Sequence, residues 1–216
     1  MIERSRTVPA QAALWMSGAI ISFISMAIAG RAVSAQLDTF ELMFYRSLIG
    51  FLIVVSVSKL LNTHHEINIQ KFSLHFIRNV FHFIGQNLWF FALPIIPLAQ
   101  LFALEFTSPM WVVILAPIFL GERLTFRKIF IAILGFVGVL IVAKPEIGAL
   151  NIGIIAAAIS AIGFAASAML TRKLTETDSL TKILFFLTSL QMIFGLLCAG
   201  YDGRITVPSA GNVSWL

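Results

Sequence analysis

Long apolar runs separated by short polar connectors dominate the chain. Seven of these runs approach the ~20 residues that an α-helix needs to cross the hydrocarbon core of a bilayer. The connectors contain turn-forming residues, and none of them is long enough to form a separate domain. The pattern predicts an all-α membrane protein with about seven transmembrane helices. The predicted spans are Ala10–Gly30, Phe40–Leu60, Phe72–Leu93, Ile96–Leu120, Phe126–Ala143, Ile152–Leu170 and Leu180–Gly200.

The composition agrees with this interpretation. Hydrophobic residues make up 59% of the 216 residues and charged residues 12%, whereas a soluble domain is about half apolar and about a quarter charged. The single cysteine, Cys198, excludes a disulfide framework and a cysteine zinc site. The sequence also lacks a glycine-rich nucleotide-binding loop, which argues against ATP-driven transport. We therefore expect no cofactor and no metal.

The basic residues indicate the orientation of the spans. Alternate connectors form two sets, and Lys and Arg concentrate in the set that includes the amino terminus. Under the positive-inside rule, this set is cytoplasmic. The net charge of +5 is then a topology signal and not a sign of nucleic-acid binding. The basic set is Arg4, Arg6, Lys59, Lys71, Arg78, Arg123, Arg127, Lys128, Arg172, Lys173 and Lys182, against Arg31, Lys144 and Arg204 in the other set.

An internal repeat links the two ends of the chain. Residues Ile21–Arg31 align with Ile162–Arg172, and the Asp38 and Asp178 that follow each lie just before the next span. An odd number of spans separates the two copies, so the second copy would be inserted upside down. Inverted repeats are typical of secondary transporters. The alternative is that two unrelated apolar helices match by chance.

Several short motifs resemble those of one transporter family. They are Arg46, Ala92-Leu93-Pro94, Ser108-Pro109-Met110-Trp111, Gly121-Glu122-Arg123-Leu124-Thr125, the glycines Gly135 and Gly138, and Lys144-Pro145. This set resembles the EamA repeat of the drug/metabolite transporter superfamily. The resemblance implies ten helices in two inverted five-helix repeats, which carry small organic solutes across an inner membrane.

Compared with that ten-helix pattern, the chain is short. Residues 1–149 correspond to a complete first repeat of five helices, and residues 150–216 to the first two helices of the second repeat. Three interpretations follow: a fragment of a full carrier, a transport-inactive relic, or a half-carrier that assembles as a homodimer or with the missing helices.

Polar side chains inside the predicted spans are the candidate site. A charged group at the bilayer centre costs ~2.5–3.5 kcal/mol on insertion scales, so such groups usually face a cavity or a partner. His75, Asn79, His82 and Gln86 recur on one face of the third span. From the helical rise, the side chains of Arg46, His82, Gln86 and Glu105 lie at one depth. The substrate-binding candidates are Trp15, Arg46, Asn79, His82, Gln86, Glu105, Ser108 and Trp111.

These residues suggest a solute chemistry. An Arg46–Glu105 ion pair would offset part of the burial cost of each charge, and Arg46 would bind the carboxylate of an amino-acid-like, zwitterionic or anionic solute. Glu105 and His82 are the candidates for proton coupling. One alternative is a polar cluster that only holds the helices together. Another is a membrane-embedded metalloenzyme, but His75 and His82 are ~10 Å apart by helical rise, too far to share an ion.

Overall fold

The computed structural model describes residues 9–34, 36–121, 123–143 and 151–202. Several residues used in the sequence argument lie outside these ranges: Arg4, Arg6, Glu122, Lys144, Pro145 and Arg204. Within the described ranges, all regular structure is helical.

Eight helices and two short 3₁₀ turns make up the described chain. The turns cover His64–Glu66 and Gly200–Asp202. The helices are α1 Pro9–Val33, α2 Thr39–Leu60, α3 Phe72–Ala92, α4 Leu98–Glu105, α5 Ser108–Leu120, α6 Phe126–Ala143, α7 Ile152–Thr175 and α8 Leu180–Ala199.

Five stretches are long and apolar enough to cross a bilayer. They are Gln11–Val33, Thr39–Leu60, Leu98–Phe119, Ile152–Thr175 and Leu180–Ala199. These stretches support five of the seven predicted spans, while α3 and α6 stay predictions as membrane spans. Helix α3 is long enough to span a bilayer, but the polar stripe from His75 to Gln86 makes it less apolar than the five stretches.

The fourth predicted span is not one continuous helix. It breaks at Phe106–Thr107 into α4 and α5, because Pro109 has no N–H and its ring would clash with the carbonyl of Glu105 four residues earlier. Two hydroxyls satisfy carbonyls at the break: Thr107 Oγ1 donates to the Leu104 oxygen at 2.6 Å, and Ser108 Oγ donates to the Glu105 oxygen at 2.7 Å. Serine and threonine commonly satisfy freed backbone groups in this way inside membranes.

Helix α3 packs along α7, α2 along α8, and α5 also contacts α7. A Cβ at Gly135 or Gly138 of α6 would meet nothing within 4 Å among the described residues. A close approach of two helices lies at Gly85 and Gly163. A Cβ on Gly163 would lie 3.0 Å from the Gly85 Cα, so the backbones of α3 and α7 touch there.

The two halves of α1 have different surroundings. Side chains 11–22 are all exposed, whereas Ala27 and Val33 near the end of the helix are fully buried. Arg31 fixes this end, because its guanidinium donates to the carbonyl oxygens of Leu93 and Ile96 in the link between α3 and α4. The final turns of α1 therefore pack firmly against the end of α3.

Candidate functional site

Glu105 is the last residue of α4, directly before the helix break. Its carboxylate accepts a hydrogen bond from the indole of Trp89 on α3, with Nε1 2.8 Å from Oε2. Trp89 is only 1% exposed, so packing holds its ring in place and the ring in turn orients the carboxylate. Glu105 therefore lies next to the break and within the span-capable stretch Leu98–Phe119.

Aromatic side chains surround this hydrogen bond. Phe23 of α1 lies with its ring centroid 5.7 Å from that of Trp89 and 5.5 Å from that of Phe102. Beside them is a cavity of about 550 Å³ between α1 and α4. Glu105 is the only charged residue among the described residues that line it, which are Ala19, Ile20, Phe23, Ile24, Phe102, Glu105 and Phe106.

Arg46 of α2 lies against the neighbouring ring of α3. Its guanidinium carbon is 5.8 Å from the centroid of Phe90, a distance at which cation and ring attract each other. Its Nη1 lies 3.5 Å from the sulfur of Met26. The partly buried guanidinium thus has a soft, weakly polar environment.

The expected Arg46–Glu105 ion pair does not form among the described residues. Glu105 bonds to Trp89 and Arg46 lies over Phe90, and these two rings are adjacent on α3 with centroids 5.2 Å apart. Helical rise gives the depth of a residue but not which neighbour it faces, so depth alone wrongly predicted a direct pair. Two opposite charges therefore lie in one region, each without an ionic partner in the described chain.

The polar stripe of α3 faces α7 and α8. His82 Nδ1 lies 3.4 Å from the Ser167 hydroxyl of α7, and Asn79 accepts from Gln191 of α8 through both its carbonyl and its side chain, at 2.9 and 3.2 Å. Gln86 is buried, and its Oε1 has no hydrogen-bond partner among the described residues. In the described ranges, no hydrogen bond joins Arg46, His82, Gln86 and Glu105 to one another.

The other predicted site residues are spread more widely. The Ser108 hydroxyl is used at the helix break, and Trp111 is partly buried one turn into α5. Trp15 is 73% exposed on the first half of α1. Asn79 is fully buried in contacts with α8, well away from the Trp89–Glu105 hydrogen bond along α3.

Sequence reasoning missed a polar cluster where α3 begins. Asp178, in the turn between α7 and α8, lies 2.8 Å from His75 Nε2 and 3.2 Å from Lys182 Nζ. Burial raises the pKa of the Asp178 carboxyl, but hydrogen bonds from His75 and Lys182 and the charge of Lys182 outweigh burial, so this pKa lies below its usual value. The available signal was the i,i+4 spacing of Asp178 and Lys182.

The described residues contain no group of three or more His, Cys, Asp and Glu side chains placed to hold a metal ion. The candidate site consists of two separate charges, an aromatic wall and a cavity. Cavities with a few placed polar groups are typical of sites for small organic molecules.

Known proteins with similar sequences are transporters. The chain is 23% identical to an S-adenosylmethionine uptake transporter of Rickettsia bellii, over 94% of this chain and 65% of that protein. It is 27% identical to a riboflavin transporter of Vibrio cholerae, over 96% and 70%, and 25% identical to the pseudopaline exporter CntI of Pseudomonas aeruginosa, over 72% and 55%. The chain thus spans less than two thirds of the Rickettsia relative.

The fold has a counterpart among solved structures. One crystal structure matches with a TM-score of 0.59 and 16% identity, over 92% of this chain and 72% of that one; at this identity the likeness concerns the fold alone. The family model of the EamA-like transporters matches residues 10–144, well over half of the chain. With five span-capable stretches in the described chain, this is a multi-pass membrane protein, and the chain belongs to the EamA-like transporter family.

Proposed function

We propose that the protein carries a small organic solute across the inner membrane by secondary active transport. In this proposal the amino terminus is cytoplasmic, because Lys and Arg concentrate on that set of connectors. Residues 1–149 form one five-helix repeat, residues 150–216 begin an inverted second repeat, and the two repeats rock against each other to expose the site alternately. The family and the transporter relatives support this class of activity.

The observation that carries the proposal is the arrangement of Arg46 and Glu105. The two opposite charges lie on neighbouring rings of α3 and do not pair with each other among the described residues. Since a buried charge without a counterion is costly, a solute that supplies both missing charges would stabilise both side chains. Arg46 would bind a carboxylate and Glu105 a cationic group, which favours an amino-acid-like zwitterion.

The relatives offer two solutes that differ in this respect. S-adenosylmethionine, named for the Rickettsia relative, combines a carboxylate with cationic centres. Riboflavin, named for the Vibrio relative, is a planar, uncharged molecule. The charges of Arg46 and Glu105 favour the first chemistry, while the aromatic wall of Phe23 and Phe102 suits a planar group in either solute.

Proton coupling is part of the proposal. Glu105 and His82 are the titratable candidates, since both lie within the bundle and a carboxyl or imidazole there can exchange a proton as its surroundings change. The remaining candidates, Trp15, Asn79, Gln86, Ser108 and Trp111, would complete the lining as the two repeats move.

Uptake into proteoliposomes tests these statements. Wild type should accumulate a zwitterionic solute from a panel of amino acids, nucleosides and cofactors, and collapse of the proton gradient should abolish accumulation. Glu105→Gln should lower uptake while folded yield, measured separately, is kept. Normal uptake per folded molecule in Glu105→Gln would reject the site, and uptake that ignores the proton gradient would reject coupling.

A further inference from the structure

Among the described residues, the hydrogen bonds between the two predicted repeats lie toward one end of the bundle. In the first predicted repeat, the bonded residues lie between Thr63 and His82, on α3 and the link before it. In the second predicted repeat, they lie on α7, α8 and the turn between these helices. The contacts are Thr63–Thr181 at 3.1 Å, Asn68–Lys182 at 2.9 Å, Lys71–Thr177 at 2.6 Å, His75–Asp178 at 2.8 Å, Arg78–Thr171 at 2.9 Å, Asn79–Gln191 at 2.9 Å and His82–Ser167 at 3.4 Å.

At the centre of this set is a buried ionic group, which we call the latch: His75, Asp178 and Lys182. The side chains are 1%, 6% and 3% exposed, respectively. His75 also packs on Phe186 of α8, with ring centroids 4.5 Å apart. Charge-assisted hydrogen bonds are among the stronger ones in proteins, so the latch is the firmest polar connection between α3 and the turn before α8.

Beyond His82 the described contacts between the repeats change character. Gly85 lies against Gly163 and Phe164, and Gly153 against Ile95 and Ile96. These are contacts of backbone and apolar side chains, which can part without exposing a charge. The Glu105 cavity lies toward this end of α3, next to Trp89. Within the described ranges, one end of the bundle is thus joined by charges and the other by apolar surfaces.

The two turns that align in the internal repeat differ in what their aspartates bond to. Asp38, which aligns with Asp178, accepts hydrogen bonds from the backbone N–H groups of Phe40 and Glu41 at 2.7 and 2.8 Å. In the described chain its carboxylate serves its own helix only. Before α8, Ser179 takes over that role by accepting from the Lys182 N–H, which leaves the Asp178 carboxylate to bond across to α3.

From these observations we infer that the latch is the gate that closes the cytoplasmic end of the transport path. The inference rests on the proposed function for the orientation and for the rocking of the two repeats. Opening that end separates α3 from the turn before α8, so the His75–Asp178 contact must break and both groups must become hydrated. Asp178 and His75 are positioning residues in this scheme: they select which end is open and do not touch the solute.

Cysteine accessibility tests the gate directly. In a Cys198→Ser background, Ser167→Cys places one thiol on α7, ~12 Å from the cytoplasmic end of that helix by rise and buried when the latch is closed. A membrane-impermeant maleimide added to inside-out vesicles should label it slowly. Asp178→Asn should speed labelling about tenfold, because a hydrogen bond to a charged group contributes about that factor to the closed state.

Two further variants complete the design. Glu176→Gln is the matched control: it removes a carboxylate from an exposed residue of the same turn, and labelling should stay at the parental rate. His75→Ala breaks the same contact from α3 and should speed labelling as Asp178→Asn does, with no further increase in the double variant. The thermal stability of each variant in detergent identifies any variant that fails to fold. If one of the two latch variants fails to fold, the labelling rate of the other tests the inference.

The outcomes separate this inference from the proposed function. Equal labelling in Asp178→Asn, His75→Ala and Glu176→Gln would overturn the latch even if solute uptake is intact. Labelling does not need a solute, so the latch is tested in a chain without measurable uptake. If the latch variants are labelled faster only when the maleimide is added at the external face, the proposed orientation is rejected. The latch would still be a gate in that case.

Discussion

The indole of Trp89 donates a 2.8 Å hydrogen bond to the carboxylate of Glu105 and so joins the last turn of α3 to the end of α4. The next residue on α3, Phe90, lies under the guanidinium of Arg46. Two adjacent aromatic residues therefore contact the two charged side chains that we propose bind the solute. The indole N–H of Trp89 bonds to Glu105, and its ring packs against Phe90.

Trp89→Phe keeps a six-membered aromatic ring and removes the N–H donor together with the fused five-membered ring. We expect it to weaken solute binding per folded molecule about fivefold to tenfold, the usual consequence of losing one hydrogen bond to a charged group, and the ring volume lost at this buried position should also lower the Tm. Equilibrium binding of the transported solute to purified protein measures this. Phe91→Leu, at a 41% exposed position beside it, is the control, and an equal loss in both variants would contradict the assignment.

The close contact of α3 and α7 predicts that a larger side chain at Gly163 lowers the stability of the protein. Gly163→Ala would place a Cβ 3.0 Å from the Gly85 Cα and from the Phe81 oxygen, and forcing a methyl group into a packed contact costs about 1–3 kcal/mol. Thermal unfolding in detergent should show a clear loss of stability. Gly135→Ala is the matched control, since a methyl group there meets nothing within 4 Å among the described residues, and it should leave stability unchanged or raise it by up to ~1 kcal/mol.

Asp178 predicts a stability change at acid pH. The pKa of its carboxyl is lowered in the folded protein by His75 and Lys182, against the opposing effect of burial. Ionised Asp178 therefore stabilises the fold above the ordinary Asp pKa of about 3.9, and this contribution disappears as the pH falls through the lower folded value. The Tm advantage of wild type over Asp178→Asn should narrow below about pH 4. An advantage that stays constant to about pH 2 would contradict this ion pairing.

The helix break predicts a separation of stability from transport. Pro109→Ala removes the ring that opposes a continuous α4–α5 helix and should raise the Tm, since Pro inside a helix costs up to ~3 kcal/mol relative to Ala. Uptake should fall, because straightening the segment turns Glu105 away from Trp89. Pro117→Ala, farther along α5, provides the comparison. Retained uptake in Pro109→Ala would show that the break is not needed to position Glu105.

The helices were largely predictable because apolar runs report directly on spans. The run Phe40–Leu60 became α2 with one residue added, and Leu180–Gly200 became α8 with one removed. The break after Glu105 was missed, since Phe106 and Thr107 do not interrupt the apolar character of the run. The Ser108-Pro109 pair was the available signal, because serine can satisfy the carbonyl that proline frees.

The contacts within the site were predictable only in part. Helical periodicity predicts His75, Asn79, His82 and Gln86 on one face of α3. Of these, His75, Asn79 and His82 bond to α7, α8 or the turn between them. Periodicity carries no information on the partner of each residue, so Asp178 was not matched to His75, nor Trp89 to Glu105. Those pairings depend on how the helices rotate and cross, which is set by close contacts such as Gly85 against Gly163.

The most direct test of the account is a binding cycle between Arg46 and the solute carboxylate. Affinity is measured for a zwitterionic solute and for its methyl ester, in wild type and in Arg46→Gln. If Arg46 binds the carboxylate, the ester should bind wild type at least about tenfold more weakly than the acid, and this difference should vanish in Arg46→Gln. The same acid-to-ester ratio in both proteins would contradict the assignment of Arg46 to the solute.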